Sequence, residues 1–126
     1  MLIEDISYSE PRVVEQICEG NVFRHCEFSN FVIEGGHIDG VFLNCNFTNV
    51  DWYWGIFNGC VFVEVHFVRC TFRGTSFPGC KFVDCNFLDC YFVDDNLKRG
   101  CSAEGARVYG GSAKGCTGAA LLFPDT

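Results

Sequence analysis

Large apolar residues recur at every fifth position through the middle of the chain. From Phe42 the step of five gives Phe42, Phe47, Trp52, Phe57, Phe62, Phe67, Phe72, Phe77, Phe82, Phe87, Phe92 and Leu97, twelve positions without exception. Two residues before each lies a second series: Gly40, Cys45, Val50, Gly55, Cys60, Val65, Cys70, Thr75, Cys80, Cys85, Cys90 and Asp95. All are small or medium-sized except the last. A period of five fits neither the 3.6-residue helix nor the two-residue strand. It marks a repeat in which two residues of each unit face inward.

The frame extends both ways after one slip on each side. Upstream, Phe23, Phe28, Ile33 and Ile38 keep the step, and four residues then lead to Phe42. Downstream, six residues separate Leu97 from Ala103, and Val108, Ala113 and Gly118 follow in step. In this frame nine of the ten cysteines (Cys26, Cys45, Cys60, Cys70, Cys80, Cys85, Cys90, Cys101 and Cys116) hold the small inward position. An even spread over five phases would put about two there. A thiol has the right volume for that position, is apolar enough to bury and demands no strong hydrogen-bond partner. Zinc would call for paired C-x2-C couples, whereas Cys80, Cys85 and Cys90 are spaced C-x4-C. The cysteines therefore read as core filler, with disulfides arising only by air oxidation.

With these units the chain resembles the pentapeptide-repeat family, whose repeat reads Ala/Cys–Asp/Asn–Leu/Phe–x–x. The clearest matches are Cys45-Asn46-Phe47 and Cys85-Asn86-Phe87, and the resemblance covers roughly residues 21–118. It implies an all-β solenoid, a right-handed quadrilateral β-helix with four pentads per coil. Residues about 20 apart then stack into four columns. These are Phe23/Phe42/Phe62/Phe82/Ala103, Phe28/Phe47/Phe67/Phe87/Val108, Ile33/Trp52/Phe72/Phe92/Ala113 and Ile38/Phe57/Phe77/Leu97/Gly118. About five coils at ~4.8 Å each make a rod roughly 24 Å long.

The chain divides into an N-terminal segment (1–20), the repeat (21–118) and an apolar tail (119–126). Residues 10–18 are predicted as a short amphipathic helix, with Ser9 as N-cap and Pro11 in its first turn. Val13, Val14 and Ile17 would then cover the first coil. Leu121, Leu122 and Phe123 either cap the other end or supply a homodimer contact.

Composition and charge narrow the function. With 16 acidic and 9 basic residues the net charge is −7, which argues against direct nucleic-acid binding. No stretch approaches 18 apolar residues, and the N-terminus lacks the basic and apolar regions of a signal peptide. A cytoplasmic chain with reduced thiols is expected. His25, His37 and His66 fall on outward positions and form no catalytic spacing, and no phosphate loop or nucleophile elbow is present. Glycines at 59, 74, 79, 100, 105, 110 and 115 fall at predicted corners. Neither an enzyme nor a cofactor is expected.

Function should lie on the outward positions. Val41, Leu43, Val61, Val63 and Val83 flank one column of rings, with Val68, Leu88 and Tyr109 placed on the next face. Tyr53, Trp54, Ile56 and Tyr91 add apolar bulk on the other two. Glu64, Asp84 and Asp89 rim the strip, and Asp84, Asp89 and Asp94 share one outer phase on consecutive faces, with Asp95 beside the third. Two readings stand together: ordinary β-branched sheet surface with solubilising acids, or a protein-binding face that attracts a basic partner.

The resemblance implies specific partners. Some members of the family mimic B-form DNA and bind type II topoisomerases as longer, end-to-end dimers. Others are immunity proteins that neutralise secreted nuclease toxins. A short, acidic, single-domain rod suits an immunity protein whose partner is a cationic DNA-acting enzyme. Modulation of gyrase and a plain scaffold role are the alternatives.

Overall fold

The computed structural model describes residues 1–13 and 20–124. The chain is a parallel β-solenoid, and its path follows from the pentad. The ring residue points to the axis, its two neighbours point out, and the second residue after it turns the corner. Along one edge those corner residues are His25, Asn44, Glu64 and Asp84, with φ of 55°, 52°, 52° and 52°. Along the next they are Asn30, Asn49, Arg69 and Asp89, at 62°, 56°, 50° and 53°. A left-handed residue reverses the local twist, so each short strand ends and the next begins on the adjacent face.

The first face is a six-stranded parallel sheet of Leu2–Glu4, Val22–Arg24, Val41–Leu43, Val61–Val63, Lys81–Val83 and Arg107–Tyr109. Two long strands, Glu27–Glu34 and Asn46–Tyr53, run through the corner between the second and third faces. Above them each face has its own short strands: His66–Val68, Asn86–Leu88 and Ser112–Lys114 on the second, Thr71–Arg73 and Tyr91–Val93 on the third. The fourth face pairs His37–Ile38 with Ile56–Phe57 and continues through bridges at Ser76 and Ser102. Four complete coils, beginning at Phe23, Phe42, Phe62 and Phe82, carry partial turns at both ends. Strands Leu2–Glu4 and Ser7–Tyr8 belong to this ladder, so the solenoid starts ahead of the expected boundary at residue 21.

Register stacks the rings. In the second column Phe28, Phe47, Phe67 and Phe87 lie 4.5, 5.1 and 4.5 Å apart and within 9° of parallel. Neighbouring columns meet edge-on, as between Phe62 and Phe67 at 5.6 Å and 65°. Both arrangements suit the ring quadrupole. Phe42, Phe47, Trp52, Phe57, Phe62, Phe67, Phe72, Phe77, Phe82, Phe87 and Phe92 are all buried. Where the repeat shortens by one residue, Gly40 (φ 149°) passes so close that a Cβ there would lie 2.8 Å from the Asn21 carbonyl oxygen.

The thiols do more than fill space. Cys80 Sγ lies 2.9 Å from the Phe57 carbonyl oxygen, Cys70 Sγ 3.2 Å from Phe47 and Cys85 Sγ 3.4 Å from Phe62. Each thiol donates to a ring residue of the coil below, and Thr75 Oγ1 makes the same bond to Trp52 at 3.4 Å. The small inward position thus favours a compact side chain with a donor. Burial pushes the Cys45 and Cys85 thiols up to about 11.

Leu97 is not in the core: it is 64% exposed. Residues 96–100 loop out of the pentad path, and Ala103 takes the expected place of Leu97 above Phe77. The last columns therefore end one unit differently. Val108 stacks on Phe82, Ala113 on Phe87 and Gly118 on Phe92. Gly100 belongs to this excursion and not to a repeat corner. The cause is Asp95, a buried carboxylate at the small inward position, which draws the following amides back onto itself.

Beyond the last coil, the 3-10 turn Ala119–Leu121 folds the tail over the end of the tube. Leu122 is buried, and the Phe123 ring meets Phe87 edge-on at 5.8 Å. Phe123 fills the space that Ala113 leaves above Phe87, so the tail acts as a cap. At the other end Tyr8 stacks on Phe28 at 5.1 Å. A 3-10 turn spans Pro11–Val13, while Val14 and Ile17 of the predicted helix lie outside the described residues.

Candidate protein-binding face

On the first face, the residues preceding the rings form one outward row: Leu2, Val22, Val41, Val61, Lys81 and Arg107. Those following the rings form another: Glu4, Arg24, Leu43, Val63, Val83 and Tyr109. Because the sheet is parallel and in register, like stacks on like. Val22, Val41 and Val61 make one apolar ladder, and Leu43, Val63, Val83 and Tyr109 make a second beside it. Tyr109 thus sits over Val83 on the first face, not on the second as expected, because the excursion at 96–100 shifts the last coil. The ion pair of Arg24 with Glu4 bounds this block at one end, and Lys81 and Arg107 bound it at the other.

The corner row next to the second ladder carries Asn44, Glu64 and Asp84, so two carboxylates border Val63 and Val83 directly. Asp adopts the left-handed corner readily because its short side chain bonds locally. Glu64 has no such advantage. Around the corner, Val68 and Leu88 are in register on the second face, beside a shallow groove of about 400 Å³ that Lys114 and His66 also line. Asp89 turns the following corner, and Asp94 lies beyond it at the third. The acids at 84, 89 and 94 therefore encircle one coil, and of these only Asp84 touches the apolar ladders. Val41, Leu43, Val61, Val63, Glu64, Val83 and Asp84 share one surface. Val68, Leu88 and Asp89 share the adjacent one, and Asp94 faces elsewhere.

A separate polar centre lies at the corner between the third and fourth faces, diagonally across the tube. Asp95 Oδ1 accepts from the Leu97 and Arg99 amides at 2.8 and 2.9 Å. Its Oδ2 accepts from Trp54 Nε1 at 2.9 Å and Arg99 Nε at 3.1 Å. Burial opposes ionisation of this carboxyl, but the bonds from Arg99, Leu97 and Trp54 outweigh it and hold the group below the usual range. Trp54 itself occupies the corner at φ 60°, unusual for a bulky residue, with its ring against Tyr53 at 4.4 Å. Gly74, in the next coil at that corner, leaves room for Asp95, whose Oδ2 would lie 2.9 Å from any Cβ there. The arrangement holds Leu97, Lys98 and Arg99 out from the rod. Sequence reasoning missed it, although one signal was present: Asp95 is the single charged residue in the small inward series from Gly40.

Among the described residues, no three of the His, Cys, Asp and Glu side chains gather closely enough to hold a metal ion, and no helix is long and apolar enough to cross a membrane. In comparison with known proteins, the family model described as pentapeptide repeats matches residues 45–88, in eight copies. No curated protein matches the chain.

Proposed function

We propose, from the premise that this chain is a pentapeptide-repeat protein, that it is an immunity protein which binds a nuclease-type toxin and covers its DNA-binding surface. The premise supplies the coarse statement: pentapeptide-repeat solenoids are protein-interaction scaffolds and are generally non-catalytic. The finer reading rests on the first face. Its two apolar ladders, edged by Glu64 and Asp84, combine area to bury with charge that attracts a cationic groove.

The test examines the reading frames beside this chain's gene for a nuclease and uses the product of one found there. At equal stoichiometry the chain should abolish DNA cleavage, and V63E together with V83E should weaken binding at least tenfold. The paired variant should stay folded with a modestly lower thermal midpoint, because the two new carboxylates stand in register beside Glu64 and Asp84 and opposed like charges cost about 0.2–1 kcal/mol. Undiminished affinity would remove the face assignment. A nuclease that stays active while gyrase supercoiling falls would favour the topoisomerase reading, and no binding to either leaves the scaffold.

A further inference from the structure

The parallel register that stacks rings also stacks thiols. Cys45 stands over Cys26, Cys80 over Cys60, Cys90 over Cys70 and Cys116 over Cys90. Adjacent coils are ~4.8 Å apart, inside the usual Cα separation of a disulfide, about 4.4–6.8 Å. Backbone spacing therefore permits a bond in every pair, and access distinguishes them. Cys26, Cys45, Cys60, Cys70, Cys80, Cys85 and Cys90 are buried, whereas Cys101 and Cys116 are partly exposed. Cys101 stands over Thr75 and has no thiol beneath it. Cys116 does: its Sγ accepts from the Cys90 amide at 3.4 Å. It also borders a groove of about 470 Å³ whose other walls, Ala113, Gly115, Gly118, Ala119 and Ala120, are too small to close it.

We infer that Cys116 and Cys90 form a peroxide-responsive pair that closes into a disulfide between the last two coils. Hydrogen peroxide oxidises the Cys116 thiol to a sulfenic acid, with release of one water. The Cys90 sulfur then displaces the hydroxyl: the S–S bond forms, the S–O bond breaks, and the Cys90 proton leaves with that hydroxyl as a second water. One peroxide is reduced to two waters while two thiols become one disulfide. The bond ties the final strands to the coil below and encloses the 96–100 excursion within its loop, constraining the most weakly packed part of the rod. Burial pushes the Cys116 thiol up, so the rate should increase with pH as thiolate appears. This inference is independent of the toxin reading.

The experiment treats the reduced full chain with equimolar hydrogen peroxide, blocks remaining thiols and maps tryptic peptides without reduction. A link between peptides 82–98 and 115–126, assigned by fragmentation to Cys90 and Cys116, is expected. Two of the ten thiols should disappear, and the thermal midpoint should rise. C101S should behave as the parent chain. C116S, which changes a partly exposed residue, should keep all nine of its thiols over the same interval. Recovery of Cys116 as a free thiol, a sulfinic acid or an intermolecular disulfide would overturn the inference.

Discussion

Phe67 and Ala113 occupy the same column of the tube, two coils apart, and they sit in different kinds of structure. Around Phe67 every neighbouring column is aromatic. Rings lie above and below it at 4.5 and 5.1 Å, and the flanking rings meet it edge-on. Around Ala113 the columns have shrunk to Val108 and Gly118, and the missing volume is restored by Phe123, from outside the repeat. The central coils are held by many equivalent apolar contacts, so any one pentad closely resembles the next. The last coil is held by individual ones: a buried carboxylate, a tail ring and a shifted register. Repetition gives robustness, and its interruption leaves room for chemistry and for shape that a uniform rod lacks.

The largest expected effect tests the central region. Phe67→Ala should destabilise the fold by about 3–5 kcal/mol, read from urea unfolding, because a fully buried ring leaves a cavity that stacked neighbours cannot collapse into. A loss below about 1 kcal/mol would mean that the coils are not close-packed. Phe123→Ala tests the last coil. It should cost about 1–2 kcal/mol, since only part of that ring is buried. Its hydrogen-exchange signature should be confined to residues 107–118, whereas Phe67→Ala should speed exchange throughout.

The excursion offers a third comparison. Asp95→Asn keeps the volume but cannot accept from all four donors, so trypsin should cut faster after Lys98 and Arg99 while the central coils stay protected. The sign of the acid response follows from the depressed carboxyl. Its stabilising contribution is present above the ordinary aspartate value of about 4 and is lost as pH falls through the lower native value. Cleavage of the parent chain within residues 96–100 by an acid-active protease should therefore rise only below about pH 4, whereas the Asn variant should be cut readily across that protease's working range. The smallest effect concerns the corners. Arg69→Asn should stabilise by about 0.5–1 kcal/mol, because asparagine tolerates the left-handed corner better. It would also extend the bond from Asn49 Nδ2 to Asn30 Oδ1, 3.0 Å long in the same corner column.

How much of this was legible in the chain varies with position. From Phe42 to Phe92 the inward and outward residues could be read directly, because each pentad repeats the same local geometry. The apolar ladders of the first face follow from that reading once four pentads make a coil. Val22 was overlooked as the start of one ladder, and Tyr109 was placed on the wrong face, since both depend on how coils align beyond the uninterrupted run. Leu97 looked like a ring position because its spacing was right and its size suitable.

What the sequence determined by itself was which side of each pentad faces the axis, since a period of five with large residues in one phase admits only that burial. What tertiary structure decided was where coils begin and end after Val93. Asp95 is bonded by Trp54, 41 residues earlier, and by Arg99, four residues later, and only when the coils are wound does the Trp54 donor reach that carboxylate. Its desolvation is then offset by those bonds, and Leu97 must leave the axis for its amide to supply one of them. One long-range bond and three local ones thus override the apolar preference of Leu97, and their one mark in the spacing is a charged residue at the small inward position.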